Sequence, residues 1–355
     1  MMNIYNSSKI IFINLLVFIL FLLLIEIIFG YWFKKNNFSH HMRGKRLQKI
    51  DFKININNKI HEWQYNRDYY GFREDFDHDN KYDLSKVKII FTGGSTGAEN
   101  LKPYEKTIVG NLNQKLKMDK LDFKIFNGSL AGKSLQGSIL DFYVWFDKLK
   151  NLKPKIIIFY IGINDRELIP PEPWADHISN SNNFILRAYN EINQKSFFFD
   201  KLRVIKNKYF PSQNTDGFKI FDENIKKIFK KSKFINYENA KSKFVLKNID
   251  ETKIIKAYKD KLNTLKYELE KRKIKPIFIT QINYEGNSDK ILYFLNEELK
   301  LFSKKNKFSV IALDEMVNND LNGLFIDTIH TNEKGSLYIS NLLYPKIKEL
   351  IVDNY

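Results

Sequence analysis

Residues 86–97 read KVKIIFTGGSTG: a short apolar run with β-branched residues that stops abruptly in glycines. Such a run is the signature of a buried strand followed by a tight turn. The same reading applies to FKIFNG at 123–128, KIIIFYIG at 155–162, KPIFITQ at 275–281 and FSVIALD at 308–314. Between them lie stretches with apolar residues at helical spacing: 102–119, 133–150, 251–273, about 289–304 and about 333–350. Five strands alternating with helices predict an α/β fold, a parallel five-stranded sheet with helices on both faces. No short-period internal repeat interrupts this rhythm.

Upstream, Ile10 to Phe33 reads IIFINLLVFILFLLLIEIIFGYWF, in which only Asn14 and Glu26 are strongly polar. As a helix this stretch would span about 36 Å, enough for a ~30 Å hydrocarbon core with some tilt. A cleavable signal peptide would have a shorter apolar run ending in small residues. Here the run ends in Tyr31, Trp32, Phe33, Lys34 and Lys35, an aromatic belt with basic anchors. The expected organisation is a transmembrane anchor over 1–35, a linker and N-terminal extension over 36–85, and an enzyme-like body over 86–355. YYGFREDF at 69–76 in the extension reads as a turn between short extended pieces. Glu26, near the helix end, is expected to reach headgroups or a neighbouring helix.

The body contains an insertion at about 168–250, opening with IPPEPW at 169–174 and rich in Lys, Arg, Phe and Tyr. A crossover of that length is a functional segment or a small subdomain. Because it leaves the third strand of the body directly after Asn164, it is expected to pack over the site as a lid.

The chain carries 58 Lys+Arg against 41 Asp+Glu, a formal net charge of +17. A nucleic-acid surface needs those charges gathered in a stripe, but here the lysines are scattered from end to end. Abundant Lys, Asn, Ile, Phe and Tyr, beside 8 Pro and 15 Gly, fit an AT-rich coding bias instead. The absence of cysteine excludes disulfides, thiolate nucleophiles and Cys-ligated zinc. No Walker lysine and no GxGxxG accompany the glycine turns, so the reading calls for no cofactor, no metal and no nucleic-acid partner.

In an open parallel sheet, ligands bind beyond the carboxyl ends of the strands. The unusual residues of this chain all fall there: Gly93-Gly94-Ser95-Thr96-Gly97, Asn127 to Gly132, Gly162-Ile163-Asn164-Asp165, and Asp327-Thr328-Ile329-His330. Each alone has an innocent reading, as a tight turn, a helix cap or a loop pair. Together, in order along one edge, they form a set complete for acyl transfer. The Ser95 hydroxyl needs a base to become a nucleophile. His330 fits that role, since an imidazole takes and returns a proton near neutral pH. Asp327 would accept the Nδ1 proton and leave Nε2 facing Ser95. The oxyanion would find donors in the Ser95 N–H, the Gly132 N–H and the Asn164 side-chain amide.

These four blocks resemble the SGNH, or GDSL-like, hydrolases. Ser95, Gly132, Asn164 and His330 occupy the positions of the four name-giving residues, with Asp327 completing an Asp-x-x-His before the last helix. The resemblance covers roughly residues 86–350. It implies a flavodoxin-like three-layer αβα sandwich and serine ester hydrolysis. Two departures stand out: Gly94 replaces the aspartate common in the first block, and the insertion follows the third. Gly93-x-Ser95-x-Gly97 also fits the nucleophile elbow of α/β-hydrolases. That alternative is opposed by a serine on the first strand of the body and by an acid and a histidine only three residues apart.

The expected function is a membrane-anchored esterase removing O-acyl, above all O-acetyl, groups from a carbohydrate or envelope polymer, with an acylated carbohydrate or lipid-linked glycan as substrate. An O-acyltransferase of the same fold would share the acyl-enzyme and pass it to a sugar hydroxyl. A scaffold protein would not require all of Ser95, Asn164, Asp327 and His330. The body is expected outside the cytoplasm, although Lys34, Lys35, Arg43, Lys45, Arg46 and Lys49 after the span favour cytoplasmic retention.

Overall fold

The structure is a computed structural model that describes residues 2–33, 46–56, 59–73, 81–167, 184–210, 212–214, 233–246, 249–317 and 321–354. Its elements begin with helix α1 (Met2–Phe29) and the strands β1 (Lys49–Ile56) and β2 (Lys59–Asn66). The body then runs β3 (Ile89–Gly93), α2 (Ser95–Ala98), α3 (Ile108–Met118), β4 (Ile125–Asn127), α4 (Leu135–Val144) and β5 (Ile156–Tyr160). Helices α5 (Phe184–Lys195) and α6 (Phe197–Tyr209) and strand β6 (Ser212–Asn214) belong to the insertion. The chain closes with α7 (Ile249–Arg272), β7 (Lys275–Ile279), α8 (Lys290–Asn306), β8 (Ser309–Ile311) and α9 (Glu333–Val352).

The five strands expected from the sequence form one sheet in the order β4-β3-β5-β7-β8. All of its pairings are parallel, from Ile89 opposite Ile125 to Ile279 opposite Ile311. Counted within the body this is the order 2-1-3-4-5 of the flavodoxin-like sheets, whose ligand crevice opens where the connections change direction, between β3 and β5. Alternation along the strands supplies the two faces. Ile157 and Phe159 join Leu135, Leu262 and Leu295 in one apolar layer, beneath α4, α7 and α8. Ile156, Ile158 and Tyr160 join Leu112 and Leu343 in the other, beneath α3 and α9. The three layers follow from continuous apolar strands that need cover on both sides.

Beyond the body, β1 and β2 pair antiparallel from Lys49 opposite Asn66 to Ile56 opposite Lys59, and β6 adds to β1 in parallel. Within α1, Ser8–Phe29 is long and apolar enough to cross a membrane, and none of it is buried. Of the insertion, residues 168–183 and 215–232 lie outside the described residues, so IPPEPW and the start of the expected lid do too. The described parts dock at further places besides this β6–β1 pairing. Helix α6 starts against the end of α1, and Ile235 exchanges backbone hydrogen bonds with Glu285 (2.9 Å) and Asn287 (2.8 Å), after β7.

Candidate active site

Ser95 is the first residue of α2, immediately beyond the end of β3. Its N–H has no acceptor within the helix, as at every helix start, which leaves it available to a ligand. The turn before it depends on Gly94. A Cβ there would stand 2.1 Å from Asn164 Nδ2 and 2.9 Å from the Lys133 carbonyl oxygen, so only glycine lets the Asn164 amide reach this turn. Asn164 Nδ2 donates to the Lys133 carbonyl at 2.9 Å. A carboxamide NH2 carries two protons, so one remains for an oxyanion. Gly132, just before Lys133, has φ of 77°, a left-handed conformation suited to glycine. The structure thus brings together Gly94, Lys133 and Asn164, the first two being the chain neighbours of Ser95 and Gly132.

Asp327 and His330 lie side by side in the loop before α9. His330 Nδ1 lies 2.6 Å from Asp327 Oδ2, while the backbone N–H groups of Ile329 and His330 donate to Asp327 Oδ1 at 2.8 and 2.7 Å. Burial works to raise the Asp327 carboxyl, but the His330 ring and the two N–H donors together hold it below its ordinary value. An ionised carboxylate on Nδ1 selects the tautomer whose Nε2 is an acceptor. Among the described residues no hydrogen bond joins the Ser95 hydroxyl to the His330 ring. Such links are commonly long before substrate binds.

What fixes the histidine loop relative to the serine turn is a buried network that sequence reading missed. Glu99 follows α2 in a left-handed conformation, and its N–H donates to the Ser95 carbonyl at 2.8 Å. Its carboxylate receives Thr331 Oγ1 (3.0 Å), Lys102 Nζ (2.8 Å) and the Ser336 hydroxyl. Lys102 Nζ also donates to the carbonyls of Thr331 and of Asn332 (3.2 Å). Thr331 directly follows His330, so one buried ion pair holds both halves of the site. Gln281 does the same between other blocks: its Nε2 donates to Thr96 Oγ1 at 2.8 Å, and its Oε1 accepts from Ile163 N at 2.6 Å.

Two buried arginines clamp the loops from behind. Arg73 donates to the carbonyls of Ala98, Glu99 (2.7 Å) and Lys102 (2.6 Å), and its N–H to Asn127 O at 2.8 Å. Arg67 donates to the carbonyls of Gly71 and Ser129. Both arise from the chain that follows β2, and the Arg at position 73 of YYGFREDF was the only sequence cue, an unremarkable one in a lysine-rich chain.

Asp165 shows how the Asn164 turn is held. Both of its carboxylate oxygens accept from Leu135 N at 3.1 Å, capping α4, and Lys261 Nζ lies 3.8 Å away. Burial raises its carboxyl from 3.8 to about 6, against the pull of Lys261 and the Leu135 N–H. The folded chain therefore keeps this proton up to about pH 6, whereas the unfolded chain releases it near 3.8. Its contribution to stability is complete below the lower value and is lost as pH rises through that window. We expect Asp165→Asn to remove a fall on the order of 2–3 kcal/mol between pH 4 and 7, read as urea midpoints of the two proteins at both pH values. An unchanged pH profile would contradict the assignment.

For Asn164→Ala, turnover of an ester substrate should fall by about 10²–10³-fold if the amide serves the oxyanion. Full retained activity would remove Asn164 from that role.

No family model matches the sequence, and no curated protein matches it. Among solved structures, the chain is similar to the acetyl xylan esterase AlAXEase, at 15% identity over 74% of this chain and 100% of that one, with a TM-score of 0.41. It is similar also to the lipase/acylhydrolase from Enterococcus faecalis, at 13% identity over 74% and 95% of the two chains, with a TM-score of 0.42. A third likeness is to the psychrotrophic esterase EstA from Pseudoalteromonas sp., at 12% identity over 75% and 98%, with a TM-score of 0.40.

Proposed function

We propose that this chain is a serine ester hydrolase held to a membrane by α1. One observation carries the chemistry. The Asp327–His330 pair is tied through Thr331 and Glu99 to the turn that begins at Ser95. In the reaction, Ser95 Oγ attacks the ester carbonyl carbon while His330 Nε2 takes its proton. Asp327 holds the imidazolium that forms. The new oxyanion is met by the Ser95 and Gly132 N–H groups and by the free proton of the Asn164 amide. Collapse breaks the bond to the alcohol, which leaves with the proton from His330. Water, deprotonated by the same imidazole, then releases the acid and restores Ser95.

The substrate class we propose is an O-acylated, above all O-acetylated, carbohydrate or lipid-linked glycan, with the body outside the cytoplasm. The support is what the SGNH resemblance implies about acyl chemistry, taken together with an apolar N-terminal helix long enough to hold the enzyme at a membrane. The proposed division is 1–35 as anchor, 36–85 as linker and extension, and 86–355 as the hydrolase body with its insertion at about 168–250.

The test is covalent trapping of the full chain with a fluorophosphonate, followed by peptide mass mapping, beside turnover of acetyl and longer-chain aryl esters. A single adduct on Ser95 with ester turnover is expected. An adduct elsewhere, or none with no turnover, would overturn the reading.

A further inference from the structure

Helix α6 is amphipathic in the inverse sense to a helix of a soluble protein. Phe199, Leu202, Ile205 and Tyr209 recur at helical spacing on one stripe. Of these Leu202 is 61% and Ile205 48% exposed, and Phe210 just beyond is exposed too. The polar side faces the protein. Asp200 and Arg203 lie 3.7 Å apart with side chains only 19% and 17% exposed, and Asn207 Nδ2 donates to the Arg46 carbonyl at 3.3 Å. A helix on a water-facing surface turns its apolar stripe inward. Helix α5 repeats the pattern, with Ile185, Tyr189 and Ile192 exposed along one side.

The place of this surface is set by α1. Glu26, in the last turn of α1, accepts from Phe197 N at 2.9 Å and Phe198 N at 3.2 Å, and from Trp32 Nε1 at 3.0 Å. Its carboxylate thereby caps α6, a role that adds to the Ser196 hydroxyl at Phe199 N (3.2 Å). Tyr31 N donates to the Lys195 carbonyl at 2.7 Å, and the Phe29 and Phe197 rings are 5.5 Å apart. The α5–α6 corner is therefore locked to the level at which the apolar span ends. At about 100° per residue, Lys201 falls beside Ile205 at one margin of the α6 stripe and Lys206 between Leu202 and Phe199 toward the other, and both are exposed. Lysines so placed extend their ammonium groups toward lipid phosphates while their stems lie along apolar surface.

We propose that α5 and α6 lie in the membrane interface as a second, in-plane anchor, with the Phe199–Leu202–Ile205 stripe seated in the leaflet where α1 ends. This rests on the reading of α1 as a membrane span, and adds to it a lipid-binding surface on the insertion. It gives the basic insertion a partner: an apolar layer beneath anionic headgroups. The device also reaches the site. Residue 211 alone separates α6's terminal Tyr209-Phe210 from β6, β6 pairs with β1, and β1 pairs with β2, which leads into Arg67 and Arg73.

The chain has no cysteine, so single substitutions label uniquely. The full-length protein would carry an environment-sensitive NBD probe at Leu202→Cys or Ile205→Cys. Leu20→Cys serves as the span control and Met118→Cys, on α3 and 79% exposed, as the water control. Each is reconstituted in phosphatidylcholine–phosphatidylglycerol vesicles containing doxyl-labelled lipid. Probes at 202 and 205 should shift to the blue relative to 118 and lose about half their intensity to shallow quenchers, as for a helix face ~5–10 Å into the boundary. Quenching at 20 with none at 202 and 205 overturns the in-plane anchor and leaves the span. No quenching at any position overturns both. A blue shift at 202 and 205 without lipid quenching, rising with protein density, assigns the stripe to a second copy of the chain and equally overturns the proposal.

Discussion

Ser95→Ala is expected to lower kcat/KM on any hydrolysed ester by about 10⁴–10⁶-fold, the scale on which a nucleophile's loss removes the acyl-enzyme route altogether. Folding should be unaffected. Ser95 is only half-buried, and no side-chain hydrogen bond of the described residues depends on its hydroxyl. Residual activity would come from the oxyanion donors and from binding alone. The measurement is steady-state turnover of an aryl acetate by both proteins, with matched thermal unfolding curves. A variant that keeps more than about a tenth of wild-type turnover would mean that another group attacks, and that Ser95 is merely the turn residue it also resembles.

Asp327→Asn should cost about 10⁴-fold in kcat with little change in KM, because the amide presents an N–H to Nδ1 and drives the imidazole into the wrong tautomer. The replacement keeps the shape of the side chain, and its oxygen can still accept from the N–H groups of Ile329 and His330, so the loop should stand. The distinguishing readout is a KM-against-kcat split with an unchanged unfolding midpoint. A fall in stability with a proportionate fall in activity would make Asp327 a loop residue instead. The two variants differ in a second way: a fluorophosphonate should still label Asp327→Asn slowly and should never label Ser95→Ala.

The alternation of strands and helices was open to reading because buried parallel strands are continuous apolar runs. Ile156–Tyr160 and Ile89–Gly93 sit inside the stretches that announce them, trimmed at each end where the chain leaves the ladder. Short pairings such as Ile125–Asn127 were also visible, since β-branched and aromatic residues end there in Asn-Gly. The β1–β2 hairpin was only half legible. Lys49–Ile56 alternates polar and apolar residues strictly, the period of a half-buried strand, whereas Lys59–Asn66 opens with Ile60 out of phase with Trp63 and Tyr65, so its pairing is set by the strand it meets.

The same distinction runs through the site. Ser95, Gly132, Asn164, Asp327 and His330 could be nominated from the chain because ligand sites of open parallel sheets gather at strand ends, which composition here marks with glycine and asparagine. The residues that hold them in register could not. Lys102 and Glu99 are two unremarkable charges in a sequence of 99 such residues, counted as 58 basic plus 41 acidic. Their importance comes from meeting Thr331 and Ser336, more than 200 positions away, where all four side chains are buried. Arg67, Arg73 and Gln281 gained their roles in the same manner. Periodicity is a local property that any stretch of chain carries with it, so it determined the layers, the strand order's raw material and the chemistry at the sheet edge. Burial is a property of the assembled molecule, and only it decided which charges became positioning groups and which apolar stripe of α6 was left facing outward.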